Sequence, residues 1–165
     1  MSCSLRPLRH AHRARLEQLT RDTGLFREEE VQTAVELLDE SLGGDDDYQF
    51  VGAFDGDRLL GYACWGPTPG TAGTWDLYWI VVDRERQGRG LGTELLEEVE
   101  QRLTTHDARL IVVETSSRPD YEPTRKFYEA RGYTKAATIA DYYAPGDDLV
   151  IYTKDPRGDL ARAAP

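Results

Sequence analysis

Three glycines at alternating positions, Gly88, Gly90 and Gly92, stand where an extended apolar run gives way to an amphipathic one. The run before them, 74–82, is rich in Trp, Tyr, Ile and Val and reads as a buried strand. After them Leu91, Leu95, Leu96, Val99 and Leu103 recur along one helical face. The glycines let the backbone curl with its N–H groups pointing inward. A helix starting near Leu91 adds unpaired amides and the positive end of its dipole. Arg84, Arg86 and Arg89 bring positive charge to the same turn, so its natural guest is a phosphate or pyrophosphate. The plainer alternative is a tight strand-to-helix turn that needs glycine for its geometry alone. Two phosphate loops fit poorly. No Lys follows the glycines as a GxxxxGK[ST] loop requires. The spacing is GxGxG rather than GxGxxG, and it comes late in the chain.

Periodicity orders the rest of the 165 residues. A short strand is expected near 4–8, then helices near 11–21 and 27–42, the second closed by Gly43-Gly44. Strands 48–54 and 58–65 form a hairpin through Asp55-Gly56-Asp57, and 67–73 is a Pro- and Gly-containing loop. Beyond the glycine turn and its helix come a strand at 108–114, a helix at 122–131 ended by Gly132, and strands at 133–143 and 148–154. The order β-α-α-β-β-β-α-β-α-β-β points to an α/β (α+β) fold. It should hold a mostly antiparallel sheet of about seven strands with about four helices. One domain is expected over 1–154, with a fraying tail at 155–165.

Composition narrows the function. With 30 acidic and 20 basic residues, the net charge of −10 disfavours nucleic acid and anionic membranes as partners. No apolar run approaches the roughly 18 residues of a bilayer span, and Met1-Ser2-Cys3-Ser4-Leu5-Arg6 lacks the apolar core of a secretory signal. Two cysteines, Cys3 and Cys64, are too few for a disulfide framework and too scattered for zinc. A cytoplasmic protein without a metal is expected. Cys64, inside an apolar run, reads as a small buried hydrophobe.

Gln87, Gly90 and Gly92 also fill the pattern Gln/Arg-x-x-Gly-x-Gly/Ala, which closely resembles the acetyl-CoA-binding motif of the GNAT superfamily of N-acetyltransferases. The preceding strand, Asp76-Leu77-Tyr78-Trp79-Ile80-Val81-Val82-Asp83, is similar to that family's fourth strand. The segment Thr124-Arg125-Lys126-Phe127-Tyr128-Glu129-Ala130-Arg131-Gly132-Tyr133 resembles its second hallmark, a helix carrying FYxxxGF/Y. The resemblance covers about residues 4–154 and implies an acyltransferase using acetyl-CoA as cosubstrate. The pantetheine arm would pair with backbone at Ile80, Val81 and Val82, between the fourth and fifth strands. The pyrophosphate would take amides from Gln87, Gly88, Arg89, Gly90, Leu91, Gly92 and Thr93. Tyr128 matches the tyrosine that donates a proton to the leaving CoA thiolate; a phenol, with a pKa of about 10, holds that proton at neutral pH. Where many members carry an Asn seven residues earlier, this chain has Tyr121, which is expected either to substitute with its hydroxyl or to line the acceptor side.

Transfer needs a base, because an alkylamine with a pKa of about 10.4 is mostly protonated at neutral pH. Two carboxylates match positions used by different relatives. Asp76 lies in the fourth strand, and Glu114 is expected to end the fifth, after Leu110, Ile111, Val112 and Val113. Burial there would raise its pKa towards that of a useful base. Either could instead be a hydrated or Arg-paired strand-end acid. The family's acceptor loops correspond to 23–30 and 142–148. They supply Phe26, Tyr142 and Tyr143 with the acids Glu28, Glu29, Glu30, Asp141, Asp147 and Asp148. Acid and aromatics together suit a cationic amine, either a small molecule or a peptide N-terminus or lysine. The resemblance also admits a homodimer. The competing class is a non-catalytic acyl-CoA-binding sensor or scaffold, which would keep the glycine turn and need neither Tyr128 nor a base.

Overall fold

A proline ends the first strand. Pro7 has no amide to continue a ladder, so β1 is Ser4–Arg6, shorter than the expected 4–8, and pairs antiparallel with β2, Gln49–Asp55. In the computed structural model, residues 3–158 are described. A 3-10 turn at His10–His12 leads into α1, Arg13–Asp22, and α2 follows at Glu28–Leu42. Gly44, at φ +100, takes the left-handed position past the end of α2, as the Gly43-Gly44 pair predicts. Then come β3 (Arg58–Pro67), β4 (Thr74–Val82), α3 (Leu91–Thr105), β5 (Leu110–Ser116), α4 (Glu122–Ala130), β6 (Thr134–Ala144) and β7 (Asp147–Lys154). The seven strands form one sheet in the order β1-β2-β3-β4-β5-β7-β6; β1–β2, β2–β3, β5–β7 and β6–β7 pair antiparallel, and β4–β5 pair parallel. With four helices, this is the fold class expected.

The described contacts group into two compact units. The first takes in the chain to Pro67 and Tyr78–Arg102. Its core joins one face of α1 (Leu16, Leu19) and of α2 (Ala34, Val35, Leu38) to Phe50, Phe54, Leu59, Tyr62 and Cys64 of the hairpin. The buried Tyr62 hydroxyl meets Thr20 Oγ1 at 2.7 Å, so the core contains no stranded phenol there. Burial pushes the Cys64 thiol up, away from the reactive thiolate, in keeping with its reading as a core residue. Gly61 of β3 lies under β4: a Cβ there would stand 2.7 Å from the Val81 carbonyl oxygen, a backbone atom. Gly61→Ala should therefore lower stability by about 1–3 kcal/mol, the usual range for overpacking, read as a fall in denaturant midpoint at unchanged slope.

The second unit takes in Thr68–Leu77 and the chain from Leu103 onward. Here β4 and β5 run parallel, with Thr74, Trp75 and Asp76 opposite Leu110, Ile111 and Val112. β7 pairs antiparallel with β5 on one side and β6 on the other. Ile111, Val113, Tyr133, Leu149, Val150 and Tyr152 are buried. Tyr152 donates to Glu129 Oε1 of α4 at 2.7 Å. One boundary corrects the sequence reading. β5 runs on to Ser116, so Glu114 lies inside the strand rather than at its end, because Thr115 and Ser116 still find partners Val150 and Leu149 on β7. β6 keeps Tyr142 and Tyr143, as the strand expected at 133–143 does, and Pro145-Gly146 is the turn, with Gly146 at φ +81. The tail expected from 155 begins with Arg157 folded onto Asp155 at 2.8 Å; its remainder, 159–165, lies outside the described residues.

Candidate functional site

β4 delivers the chain to the glycine turn. Val81 faces the core at 1% exposure, while Ile80 and Val82 are half-buried on the opposite face. This alternation is what a strand of period two dictates. After Val82 a 3-10 turn, Arg84–Arg86, carries the chain to Gly88 (φ +75) and Gly90 (φ +84). A Cβ at either glycine would meet nothing within 4 Å, so glycine is required by the left-handed backbone and not by crowding. The space in front of both glycines is open. α3 makes its first bond from Glu94 N to the Gly90 carbonyl at 3.0 Å, leaving the Leu91 and Gly92 amides without a partner inside the helix. Leu91 is buried and anchors the helix start, while Gln87 and Arg89 are exposed and Thr93 is half-buried. Beside the turn lies a pocket of about 300 Å³ lined by Arg86, Arg89 and Leu91 together with Cys3, Leu60 and Glu94. Backbone amides, a helix N-terminus and two guanidinium groups form a donor set that fits a pyrophosphate.

The second unit holds the candidate acid–base groups. Asp76 is half-buried and accepts from Thr68 Oγ1 at 2.7 Å. It stands opposite Val112 on the parallel neighbour, and Glu114 is two residues further along, so both carboxylates project from the same face of the sheet. Glu114 is open to solvent, yet its carboxyl is pushed above the ordinary range, by desolvation first and by the Asp76 charge second. Tyr143 is pushed up to about 12 by desolvation, then by Glu114, Tyr121, Tyr142 and Asp147. Tyr142 and Tyr143 meet edge to face at 5.0 Å, and the Arg118 guanidinium lies 5.2 Å from the Tyr121 ring centroid. Asp147 joins this group through Ser116 Oγ, which donates to its carboxylate.

Tyr128 of α4 is 5% exposed, edge-on to Phe127 at 5.2 Å and to Tyr133 at 5.3 Å. Burial raises its pKa and holds it protonated. Phe26 is half-buried against the first unit's core. The acids beside it are largely engaged. Arg21 meets Glu28 at 2.6 Å and holds its carboxyl down at about 2, and Glu30 accepts from the Arg27 amide at 2.7 Å. Glu28–Glu30 belong to the first turn of α2 rather than to a loop, where the helix dipole favours carboxylates. Two contributors escaped the sequence reading. Thr68 approaches Asp76 only because the 68–73 loop folds back, bonding Thr68 N to the Thr74 carbonyl at 2.9 Å. Asp83 carried no signal beyond its place before the turn. Among the described residues, no three His, Cys, Asp or Glu side chains gather as a metal site, and no helix is long and apolar enough to cross a membrane.

Comparison with known proteins agrees with the geometry. Residues 13–133 match the profile of the acetyltransferase (GNAT) family. The solved structure of a GNAT-family protein from Desulfovibrio desulfuricans superposes with a TM-score of 0.89 at 40% identity, over 94% of this chain and 99% of that one. The PaiA N-acetyltransferase of Thermoplasma acidophilum, solved in complex with coenzyme A, shares the fold with a TM-score of 0.74 at 19% identity, over 94% and 99%. The S-(2-succino)cysteine N-acetyltransferase of Bacillus subtilis (strain 168) is 26% identical over 72 residues, 44% of each chain. The chain thus spans less than half the length of that curated relative. The protein belongs to the acetyltransferase (GNAT) family, a family of acyltransferase enzymes.

Proposed function

We propose that this protein transfers the acetyl group of acetyl-CoA to a primary amine, by direct attack within a ternary complex. The observation that carries the reading is the glycine turn: two open left-handed glycines and a helix N-terminus, with a pocket beside them that Arg86, Arg89 and Leu91 line. The amides of 87–93 would hold the pyrophosphate, and the backbone of Ile80, Val81 and Val82 would align the pantetheine arm. Glu114 takes the proton of the acceptor ammonium, with Asp76 as the other candidate base. The freed amine nitrogen attacks the thioester carbonyl carbon, the C–S bond breaks, and Tyr128 supports the leaving thiolate. Two groups around the base favour a cationic acceptor: the carboxylates Asp76, Glu114 and Asp147, and the rings of Tyr121, Tyr142 and Tyr143. Phe26, packed into the core, is the weakest member of the acceptor set. One domain over 1–154 and a cytoplasmic location complete the reading, since acetyl-CoA must be at hand.

Thiol release from acetyl-CoA, followed across diamines, peptides with free N-termini and S-(2-succino)cysteine, tests the activity. Turnover with any acceptor class establishes the enzyme; tight CoA binding with no turnover on the whole panel favours the sensor reading. Glu114→Gln should flatten the acidic limb of the pH–rate profile, and an intact limb would move the role to Asp76 or water. The sign of the pKa shift separates chemistry from folding. A carboxyl raised in the folded state contributes stability at low pH that is lost as pH rises through its folded pKa. Glu114→Gln should therefore melt no lower than wild type at neutral pH while losing rate.

A further inference from the structure

Asp83 is one of the few charged residues buried in the described structure, 8% exposed, and it stands directly before the glycine turn. Its carboxylate is the meeting point of three segments of the first unit. Arg15 of α1 donates to Oδ2 at 2.5 Å, and Arg58 of β3 reaches the same oxygen at 3.2 Å. The other oxygen, Oδ1, accepts the Glu85 amide at 3.1 Å and so caps the 3-10 turn. The Asp83 amide in turn donates to the Leu60 carbonyl at 2.7 Å, and Arg15 Nε donates to the neighbouring Leu59 carbonyl at 3.2 Å. Arg58 also approaches Glu85 at 3.6 Å, and Arg86 approaches Asp55 at 3.6 Å. Asp83, Glu85 and Arg86, the stretch just upstream of Gln87, are thereby fastened to α1, to β3 and to the end of β2.

We propose that Asp83 is a positioning residue for the CoA pyrophosphate: it sets the curl from which the 87–93 amides are presented, without touching the ligand. The proposal rests on the acetyl-CoA reading of the turn. Charge alone makes the opposite prediction. A carboxylate near an anion site repels its ligand, and deleting it would leave Arg15 without its carboxylate and Arg58 with Glu85 alone, which should tighten binding. Positioning predicts weaker binding, because amides aimed by a loosened turn must be ordered at the ligand's expense. The sign of the effect decides between them.

The test titrates CoA by calorimetry into wild type, Asp83→Asn, Asp83→Ala and Gly90→Asp, with melting temperature and amide hydrogen exchange measured on the ligand-free proteins. Asp83→Asn keeps size and a cap acceptor while losing the ion pairs, so it should fold. CoA affinity is expected to fall about tenfold in Asp83→Asn and further in Asp83→Ala, with faster exchange confined to residues 84–93. Unchanged or tighter CoA binding in Asp83→Asn overturns the proposal. So does exchange that rises throughout α1 and β3 with CoA affinity intact, which would make Asp83 a residue of the fold alone. Wild type that fails to bind CoA, or Gly90→Asp that binds it normally, overturns the acetyl-CoA reading itself and the Asp83 proposal with it.

Discussion

Gly90→Asp is expected to abolish measurable CoA binding while leaving the protein folded. The structure separates the two effects. Nothing lies within 4 Å of a Cβ at Gly90, so the new side chain clashes with no protein atom. The backbone cost is the left-handed conformation at φ +84, about 1–2 kcal/mol for a residue with a Cβ and towards the low end for Asp. The open space that accepts the side chain is also where the pyrophosphate would lie. A carboxylate about 4 Å from a phosphate charge contributes roughly 4 kcal/mol of repulsion at an effective dielectric constant near 20, about a thousandfold in affinity. Gly90→Ala brings the strain and the bulk without the charge and should fall between wild type and Gly90→Asp. Calorimetric titration with CoA beside a thermal melt reads both quantities. Wild-type affinity in Gly90→Asp would remove the turn from the binding site.

Tyr128→Phe is expected to lower kcat by about a hundredfold, the lower end of general-acid contributions, with the KM for acetyl-CoA nearly unchanged. The ring is buried between Phe127 and Tyr133, and phenylalanine preserves both edge-to-face contacts. Burial that holds the phenol protonated also makes it a weaker acid. A thiol has a reference pKa near 8.5, so complete transfer from a phenol above about 10 to a thiolate runs uphill. The larger contribution would be a hydrogen bond that strengthens as charge develops on sulfur, which is worth most in a water-poor setting. Loss of that bond should therefore appear in kcat and spare the ground state. Equal turnover in Tyr128→Phe would take Tyr128 out of the mechanism.

The parts of the site legible in the sequence are those whose chemistry is local. Gly88 and Gly90 could be singled out because a positive φ leaves few alternatives to glycine, and the helix that follows announces itself through Leu91, Leu95, Leu96, Val99 and Leu103. Strand β4 was legible to the residue because its apolar run is bounded by glycine on one side and by charge on the other. β5 was not: Thr115 and Ser116 are polar and read as loop, and only pairing with β7 makes them strand. The closing hairpin was legible nearly to the residue, with Tyr142 and Tyr143 on the strand expected at 133–143. Acidity was misleading wherever a distant partner existed, as with Arg21 and Glu28, seven residues apart across the α1–α2 connection.

The residue sequence by itself determined the order of elements, the glycine turn between β4 and α3 and the family's two motifs. Each depends on conformational preference or periodicity within about fifteen consecutive residues. Only the tertiary structure decided that Asp76 and Glu114 share one face, that Thr68 reaches Asp76, that Tyr128 is buried, and that Asp83 joins α1, β3 and the turn. Those facts depend on register and on long-range contact. A one-residue slip in pairing would send every side chain of a strand to the opposite face, and which residue of β5 stands opposite Asp76 is settled by pairing across more than thirty residues of chain.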